Sequence, residues 1–173
     1  MPSFLDPNEI LKELGLKEDM TAADFGCGSG SWVIPLAKIL AKGSVLGVDV
    51  QEDALSALES RARTFKLKNV QKVLANLETG APGIKNNSCD LVLMTNLLFQ
   101  LEDKKIVFKE AGRVLKPQGR ILVVEWKQGA VMGPKTQVPS RDEVRQLGKE
   151  SGFLIEKEFE AGDYHYALIF IKA

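Results

Sequence analysis

The sequence predicts a doubly wound α/β fold, and three observations support this prediction. Apolar segments typical of strands alternate with segments of helical periodicity over most of the chain. The segment at 90–95 is nearly all apolar, as in a parallel strand that is covered on both faces. Two strand-like segments, 153–159 and 164–171, close the chain, and the short link 161–163 between them requires an antiparallel hairpin. We therefore expect five strands that alternate with helices, followed by a terminal hairpin.

Residues 20–49 organise the predicted fold. A short strand at 20–24 leads through the turn Phe25-Gly26-Cys27-Gly28-Ser29-Gly30 into a helix at 31–42, and a second strand at 45–48 ends on Asp49. Glycines at alternate positions leave the backbone bare, so a ligand can approach the main chain closely. The helix N-terminus favours a negative group, and an acid at the end of the neighbouring strand can bind both hydroxyls of a ribose. We interpret this unit as a binding site for a nucleoside cofactor.

Capping and periodicity predict the other elements. Asp6 and Pro7 are typical of a helix start, and the apolar residues after them share one face until Gly15. This first helix leans on the sheet, either over the cofactor edge or as a lid on the core. Ser140 and Glu143 form a capping-box pattern at another helix start. The remaining predicted elements are helices at 51–65, 102–115 and 140–150, strands at 70–75, 90–95 and 121–126, loops at 79–88 and 127–139, and a turn at 116–119.

The composition is that of an ordinary globular protein, and we expect one domain over residues 1–173 with a short N-terminal helix. Lys+Arg and Asp+Glu both number 23, so the formal net charge is zero and no nucleic-acid partner is expected. Cys27 and Cys89 have no histidine or cysteine at metal-ligand spacing, and no metal is expected. With no visible signal peptide and no apolar run long enough to cross a bilayer, we expect a cytoplasmic protein without a membrane partner.

The glycine register separates two kinds of cofactor. The dinucleotide fingerprint is G-x-G-x-x-G. Counted from Gly26, its third glycine position holds Ser31, and counted from Gly28 it holds Val33. Neither register fits the fingerprint. An NAD-dependent oxidoreductase is therefore a disfavoured alternative.

The pattern that the chain does carry is D-x-G-x-G-x-G over residues 24–30, with Asp49 further on. It resembles the first motif of the class I S-adenosylmethionine-dependent methyltransferases. Residues 114–120 are similar to the R-x-L-K-P-G-G turn of small-molecule methyltransferases, with Gln118 in place of a glycine. The opening 7–30 and the closing segments at 125–126 and 164–166 are similar to a compact, type 11-like branch of this class.

The resemblance implies a fold, a cofactor and a reaction. The fold is a Rossmann-like, doubly wound sheet of seven strands, mostly parallel with a C-terminal antiparallel hairpin, in the order 3-2-1-4-5-7-6. The cofactor is S-adenosylmethionine and its product is S-adenosylhomocysteine. The reaction is the transfer of the methyl group to an acceptor by in-line displacement.

The resemblance also implies roles for matching positions. Around the methionine end of the cofactor it places Asp24, Gly26, Cys27 and Gly28, with Gly30 completing the same turn. Around the nucleoside and the sulfonium it places Asp49 at the ribose hydroxyls, Val50 against the adenine, Asn76 and Leu77 at the adenine amine and ring, and Asn96 and Leu97 near the sulfonium. Asn76 stands where relatives often have aspartate, and its amide oxygen can accept the same hydrogen bond. Plain core packing is the alternative role of Leu77 and Leu97.

Several acceptor classes are disfavoured. Enzymes that methylate the amino nitrogen of a nucleobase carry N-P-P-Y after the fourth strand, where this chain has Asn96-Leu97-Leu98-Phe99. Cytosine-carbon methyltransferases need a nucleophilic cysteine near there, but Cys89 precedes the strand. We expect a small-molecule acceptor, with protein side chains left open, and a monomer or homodimer in which a partner chain could complete the substrate site. A cofactor-binding regulatory protein without transfer activity is the non-enzyme alternative.

His165, the only histidine, and Glu125 are the candidate catalytic residues. Both faces of the final strand are apolar, which predicts an interior position between the fifth and sixth strands. Its start then lies at the edge where the parallel strands end, next to the cofactor. There a neutral imidazole could take a proton from an acceptor hydroxyl or amine. The alternatives are a His165 hydrogen-bonded to the loop after Trp126, and a Glu125 that acts as the base or as the partner of His165.

Overall fold

One mixed sheet carries the fold in the computed structural model of the protein, which describes residues 1, 3–81 and 83–173. Its strands are β1 (Thr21–Phe25), β2 (Ser44–Asp49), β3 (Val70–Leu74), β4 (Cys89–Thr95), β5 (Leu115–Trp126), β6 (Phe153–Glu160) and β7 (His165–Lys172). The strand order is β3-β2-β1-β4-β5-β7-β6. β5 and β6 each pair with β7 in antiparallel fashion, whereas the other pairs are parallel. The predicted topology, with an interior final strand, is confirmed.

The helices lie close to their predicted positions. They are α1 (Pro7–Lys12), α2 (Val33–Ile39), α3 (Glu52–Thr64), α4 (Lys104–Val114) and α5 (Arg141–Glu150), with a 3-10 turn at Leu98–Gln100. Asp6 caps α1 through a bond to the Asn8 amide, and the capping box of Ser140 and Glu143 is present at α5. α2 is shorter than the predicted 31–42 at both ends, because residues 31–32 are still part of the glycine turn and Leu40 is already the C-cap. Within the described residues, no helix has both the length and the apolar character that a membrane crossing requires.

Helices cover both faces of the sheet, which gives two apolar layers. One layer packs α1, α2 and α3 against the sheet, and the other packs α4 and α5 against it. The alternation predicted for β7 is observed: Tyr166, Leu168 and Phe170 enter the layer of α4 and α5, while Ala167 and Ile169 enter the other. A side chain on β7 can therefore be assigned to a face from its position in the sequence.

The turn predicted at 116–119 is a bulge inside β5. Strand pairing with β4 continues through it, but the register jumps from Cys89↔Leu115 to Leu91↔Arg120. Gln118 adopts a positive φ of 62°, which lets the extra residues leave the ladder and return to it. The prediction that the strand begins only at residue 121 is wrong, because a proline and a left-handed residue can be accommodated in a bulge without ending the strand.

The N-terminal segment is held at both edges of the sheet. The Arg120 guanidinium, near the start of the regular part of β5, donates to the Leu14 carbonyl. At the other edge, Ser3 exchanges two hydrogen bonds with Asp163 in the turn between β6 and β7, of 2.9 and 2.8 Å. Ile10 and Leu11 are buried in the layer of α2 and α3. α1 thus acts as a lid on the core, the second of the two predicted roles, and residues 3–5 lie near the carboxyl ends of the parallel strands.

Two helical glycines should respond in opposite ways to alanine. A Cβ on Gly148 in α5 would lie 2.2 Å from Cε1 of Phe170, whereas a Cβ on Gly112 in α4 would lie 3.7 Å from Cζ of Phe153. We expect Gly148→Ala to lower the free energy of unfolding by about 1–3 kcal/mol through overpacking. Gly112→Ala should raise it by up to about 1 kcal/mol through helix propensity. Urea unfolding measures both, and equal effects of the two substitutions would contradict the packing described here.

Candidate functional site

The glycine turn after β1 is tied to the end of β2. The amides of Gly26 and Cys27 both donate to the Val48 carbonyl, at 2.8 and 2.9 Å. Gly26, Gly28 and Gly30 all have positive φ, a conformation that glycine adopts without strain. The alternating glycines are therefore needed for the conformation of the turn itself.

The three glycines differ in what surrounds the position that a Cβ would occupy. A Cβ on Gly26 would lie 2.7 Å from Cδ1 of Leu97, and one on Gly30 would lie 2.4 Å from Cδ1 of Leu58. Both positions face packed side chains. Gly28 has nothing within 4 Å of its hypothetical Cβ and faces open space. Gly28 is thus the position at which a ligand can approach the bare backbone, while Gly30 is needed for packing.

A cleft of about 390 Å³ opens above the ends of β1 to β4. The predicted residues that line it are Gly26, Gly28, Asp49, Val50, Asn76, Leu77 and Leu97. Asp24, Cys27, Gly30 and Asn96 do not line it and lie behind or beside its walls. The lining residues that sequence reasoning missed are Gln51, Ala54, Ala75, Glu78, Gln100 and Leu101. Each follows a strand end by a few residues, and that proximity is the signal that could have indicated them.

Asp49 is oriented by the backbone on both sides. Its Oδ2 accepts from the Gly28 amide at 2.8 Å, and its Oδ1 accepts from the Gln51 amide at 2.9 Å. The carboxylate therefore bridges the glycine turn and the start of α3 at the cleft wall. Val50 beside it is 62% exposed and presents an apolar surface to the cleft. An acid with fixed oxygens beside an exposed apolar side chain suits a ribose that carries a flat base.

Asp24 is a carboxyl group without a partner. It is fully buried at the end of β1, and neither of its oxygens has a hydrogen-bond partner. Burial, reinforced by the nearby Asp49 carboxylate, raises its pKa from 3.8 to about 8. At neutral pH the group is therefore mostly protonated. A cation placed beside it would stabilise its charged form, so this position suits an ammonium group.

Cys27 contributes packing rather than a reactive thiol. Its side chain is buried, and Sγ donates to the Gly28 carbonyl at 3.4 Å. Burial is the main cause that raises the pKa of the thiol, and the Asp24 and Asp49 carboxylates raise it further. The thiol therefore stays protonated, and only the main chain of Cys27 is available near the cleft.

The loop after β3 is fixed by its own side chains. Asn76 Oδ1 accepts from the Glu78 amide at 3.0 Å, which forms an Asx turn. Glu78 Oε1 in turn accepts from the amides of Glu102 and Asp103, at 2.9 and 3.0 Å. The loops after β3 and β4 are thereby joined across the cleft. Leu77, which is buried, packs in the core between them, so its side chain fits the alternative role predicted for it.

Asn96, directly after β4, adopts a left-handed conformation with φ of 49°. Its amide donates to the Val124 carbonyl, and its carbonyl accepts from Gln100 Nε2 at 2.7 Å. Its side-chain Oδ1 is buried and has no partner. The backbone strain and the unpaired oxygen both occur at the predicted sulfonium end of the site, where strained residues often serve a function.

Glu125 caps the 3-10 turn that follows Asn96. It is fully buried; Oε2 accepts from the Leu98 and Phe99 amides, at 3.0 and 3.4 Å, and Oε1 accepts from the Trp126 amide at 2.9 Å. Burial raises its pKa to about 7, although the backbone donors oppose the shift. With its oxygens committed to amides, Glu125 acts here as a positioning residue for the loop.

His165 is opposite Trp126 in the sheet, and the two rings lie 4.0 Å apart between centroids. Its face is that of Ala167, in the layer of α1 to α3, whereas Glu125 reaches the 3-10 turn on the other side. Neither imidazole nitrogen has a hydrogen-bond partner. The predictions that His165 pairs with Glu125 or bonds to the loop after Trp126 are therefore both wrong. Strand alternation places His165 and Glu125 on opposite faces of the sheet. The imidazole packs against the Trp126 ring instead of bonding to the loop.

Comparison with known proteins identifies the family. The methyltransferase domain family matches residues 16–164. A demethylmenaquinone methyltransferase of Staphylococcus aureus is 32% identical over 120 residues, which are 69% of this chain and 48% of the relative. The chain thus spans about half the length of the curated relatives it matches.

Solved structures give the same result. An S-adenosylmethionine-dependent methyltransferase from Aquifex aeolicus superposes with a TM-score of 0.91 at 29% identity, covering 98% of this chain and 90% of its own. A Sulfolobus solfataricus protein, provisionally classed as a type 11 methyltransferase, superposes with a TM-score of 0.75 at 25% identity, covering 98% and 94%. The resemblance seen in the glycine turn is confirmed, and the chain belongs to the methyltransferase domain family.

Proposed function

We propose that this chain transfers a methyl group from S-adenosylmethionine to a small-molecule acceptor. The observation that carries the proposal is the juxtaposition of a bare backbone at Gly28, an oriented carboxylate at Asp49 and an unpaired buried carboxyl at Asp24. S-adenosylmethionine supplies a methyl group made electrophilic by its sulfonium. It also carries a ribose and an α-ammonium, the two groups that these carboxyls can bind.

The residues of the cleft divide between the parts of this cofactor. Asp24 would face the ammonium and Asp49 the ribose hydroxyls. Val50, Asn76 and Leu77 would surround the adenine, since all three line the same cleft. The remaining predicted contacts, near the sulfonium, are Asn96 and Leu97. A nucleotide with phosphates is less suitable here, because the Asp49 carboxylate, bonded to the Gly28 amide, repels negative charge at the glycine turn.

The chain contributes positioning rather than covalent chemistry to such a reaction. Methyl transfer requires the acceptor atom in line with the methyl group, and orientation alone can supply roughly 7–11 kcal/mol. Glu125 fixes the loop after β4 through the two backbone amides of Leu98 and Phe99, and Glu78 joins that loop to the one after β3. Both acids therefore hold the walls of the cleft in place. Removing either should change the geometry of the site without removing a reacting group.

Calorimetry with S-adenosylmethionine and with NAD tests the proposal. We expect one S-adenosylmethionine to bind per chain and no heat from NAD, because the glycine register lacks the dinucleotide fingerprint. Tight binding of NAD, with no heat from S-adenosylmethionine, would contradict the proposal. If S-adenosylmethionine binds, the formation of methylated products from a pool of metabolites would distinguish an enzyme from a cofactor-binding regulator.

Asp49→Asn should weaken cofactor binding at least tenfold. The uncharged amide has a single acceptor oxygen, so it loses one of two charge-assisted bonds to the ribose, each worth about 1.5–3 kcal/mol, and weakens the other. Asp53→Asn is the matched control, since Asp53 is exposed in the first turn of α3 and does not line the cleft. Affinities from calorimetry, with circular dichroism to verify folding, measure both. An equal, small loss in the two variants would indicate that Asp49 is merely a solvated acid.

Asp24→Asn should stabilise the ligand-free protein at pH 9 more than at pH 6. The folded-state pKa of Asp24, about 8, lies above its ordinary 3.8. Its contribution to stability is therefore fully present below the unfolded pKa and is lost as the pH rises through 8. The amide never acquires that buried charge. Urea unfolding of both proteins at the two pH values measures the difference, and a difference that does not change with pH would contradict the assignment.

A further inference from the structure

The end of β5 and the start of β7 lie beyond the cofactor cleft, on the same side of the sheet as the carboxyl ends of the parallel strands. Trp126 and His165 are cross-strand partners there, and the turn of residues 130–133 covers Trp126. The side chains of Asp24 and His165 enter the same layer, as the alternation of β1 and β7 shows. The methyl acceptor would have to meet the cofactor from the side of β4 and β5, since the proposed nucleoside site lies at the ends of β2 and β3.

His165 has unused hydrogen-bonding capacity at this place. It is 5% exposed, and both of its nitrogens are buried without a partner. A neutral imidazole has one donor and one acceptor, and leaving both unpaired in a folded protein is costly. In the described part of the chain, the buried side-chain polar atoms without partners belong to Asp24, Asn96 and His165. The first two are predicted cofactor contacts, so the third marks a further ligand group.

The charges around His165 favour a neutral ligand. Burial first, and the Lys127 ammonium second, lower the pKa of the imidazole to about 4, so it is uncharged at neutral pH. Glu125 lies on the other face with its oxygens bound to amides. Glu160 pairs with Lys127 and Arg141. Asp163, two residues before His165, accepts from the Ser3 amide, and Asp24 would serve the cofactor ammonium. Each carboxylate described around His165 thus has a partner other than the amine of a cationic acceptor.

We propose that His165 binds the methyl acceptor through a hydrogen bond, and that the acceptor presents an uncharged hydroxyl group rather than a protonated amine. This inference rests on the proposed function and adds the acceptor class to it. The hydroxyl would donate to one imidazole nitrogen or accept from the other. The Trp126 ring packs against the imidazole at an interplanar angle of 37°.

Access to the imidazole requires a neighbouring segment to move, because its nitrogens are closed to solvent. Residues 3–5 lie against the turn between β6 and β7, where Phe4 and Tyr164 have ring centroids 6.0 Å apart. The exposed hydrogen bond from Ser3 to Asp163 holds this segment, and such a bond is easily exchanged for water. Movement of this segment away from the turn would open a route to the start of β7, where His165 lies.

The single histidine provides a direct test. In histidine-labelled protein saturated with S-adenosylhomocysteine, the only imidazole signal is that of His165. Titration with phenol should shift its ring ¹⁵N resonances, whereas benzylamine, which is cationic at neutral pH, should leave them unchanged. Equal shifts with both probes would overturn the acceptor class. If neither probe shifts the imidazole resonances, His165 has only a structural role and the proposal is overturned.

Substitutions provide an independent readout. His165→Phe keeps a ring against Trp126 but removes both nitrogens, and should weaken phenol binding about three- to tenfold, the equivalent of one neutral hydrogen bond. His165→Gln keeps a donor and an acceptor and should retain most of the affinity. Undiminished phenol binding by a folded His165→Phe protein would contradict the assignment. S-adenosylhomocysteine binding should be unchanged in both variants. If the unaltered protein does not bind S-adenosylhomocysteine, the proposed function is refuted instead.

Discussion

An unpaired carboxyl group buried at the end of β1 is the constraint around which the site is built. Asp24 lies in the centre of the sheet, with β2 on one side and β4 on the other, and no group of the chain satisfies its oxygens. Burying such a group is unfavourable unless something binds it. Asp49, close enough to raise the pKa of Asp24 further, has its own oxygens bound by Gly28 and Gln51. Under the proposed function, the cofactor ammonium would supply the missing partner.

Sheet topology explains why this carboxyl lies beside a cleft. The strand order reverses between β1 and β4, so the connections that leave these two strands run to opposite faces and leave a crevice between them. The loops after β1 to β4 line that crevice, and two further acids, the half-buried Glu78 and the buried Glu125, hold them. Glu78 connects the loops after β3 and β4, and Glu125 connects the loop after β4 to the end of β5. The loops after β3 and β4 and the end of β5 are thus connected by side-chain hydrogen bonds.

Strand ends were the predictable part of the site. The apolar runs before Asp24, Asp49 and Asn96 locate these residues at one edge, because parallel strands end together. The side-chain partners could not be read in this way. Glu125 follows an apolar run as the others do, yet its oxygens bind the backbone of a turn 26 and 27 residues away in the sequence. Such contacts depend on how two loops meet in space, which periodicity does not encode.

The fold, like the site, can be predicted from the sequence only in part. The alternation of helices and strands, together with the short link before β7, predicts the sheet and its hairpin. The bulge at 116–119 was predicted as a turn, because proline and glycine signal an irregular backbone without showing whether the ladder resumes. For His165, alternation correctly gives the edge and the face. It does not show that both nitrogens lack partners, since that outcome depends on every neighbouring side chain.

The proton balance of S-adenosylhomocysteine binding tests the central claim most directly. If Asp24 is protonated in the ligand-free protein and ionises beside the ligand's ammonium, binding at pH 7 should release up to one proton. Calorimetry in buffers of different ionisation enthalpy would detect this release as a binding heat that varies with the buffer, and Asp24→Asn should abolish the variation. A binding heat that is the same in every buffer for the unaltered protein would contradict the account.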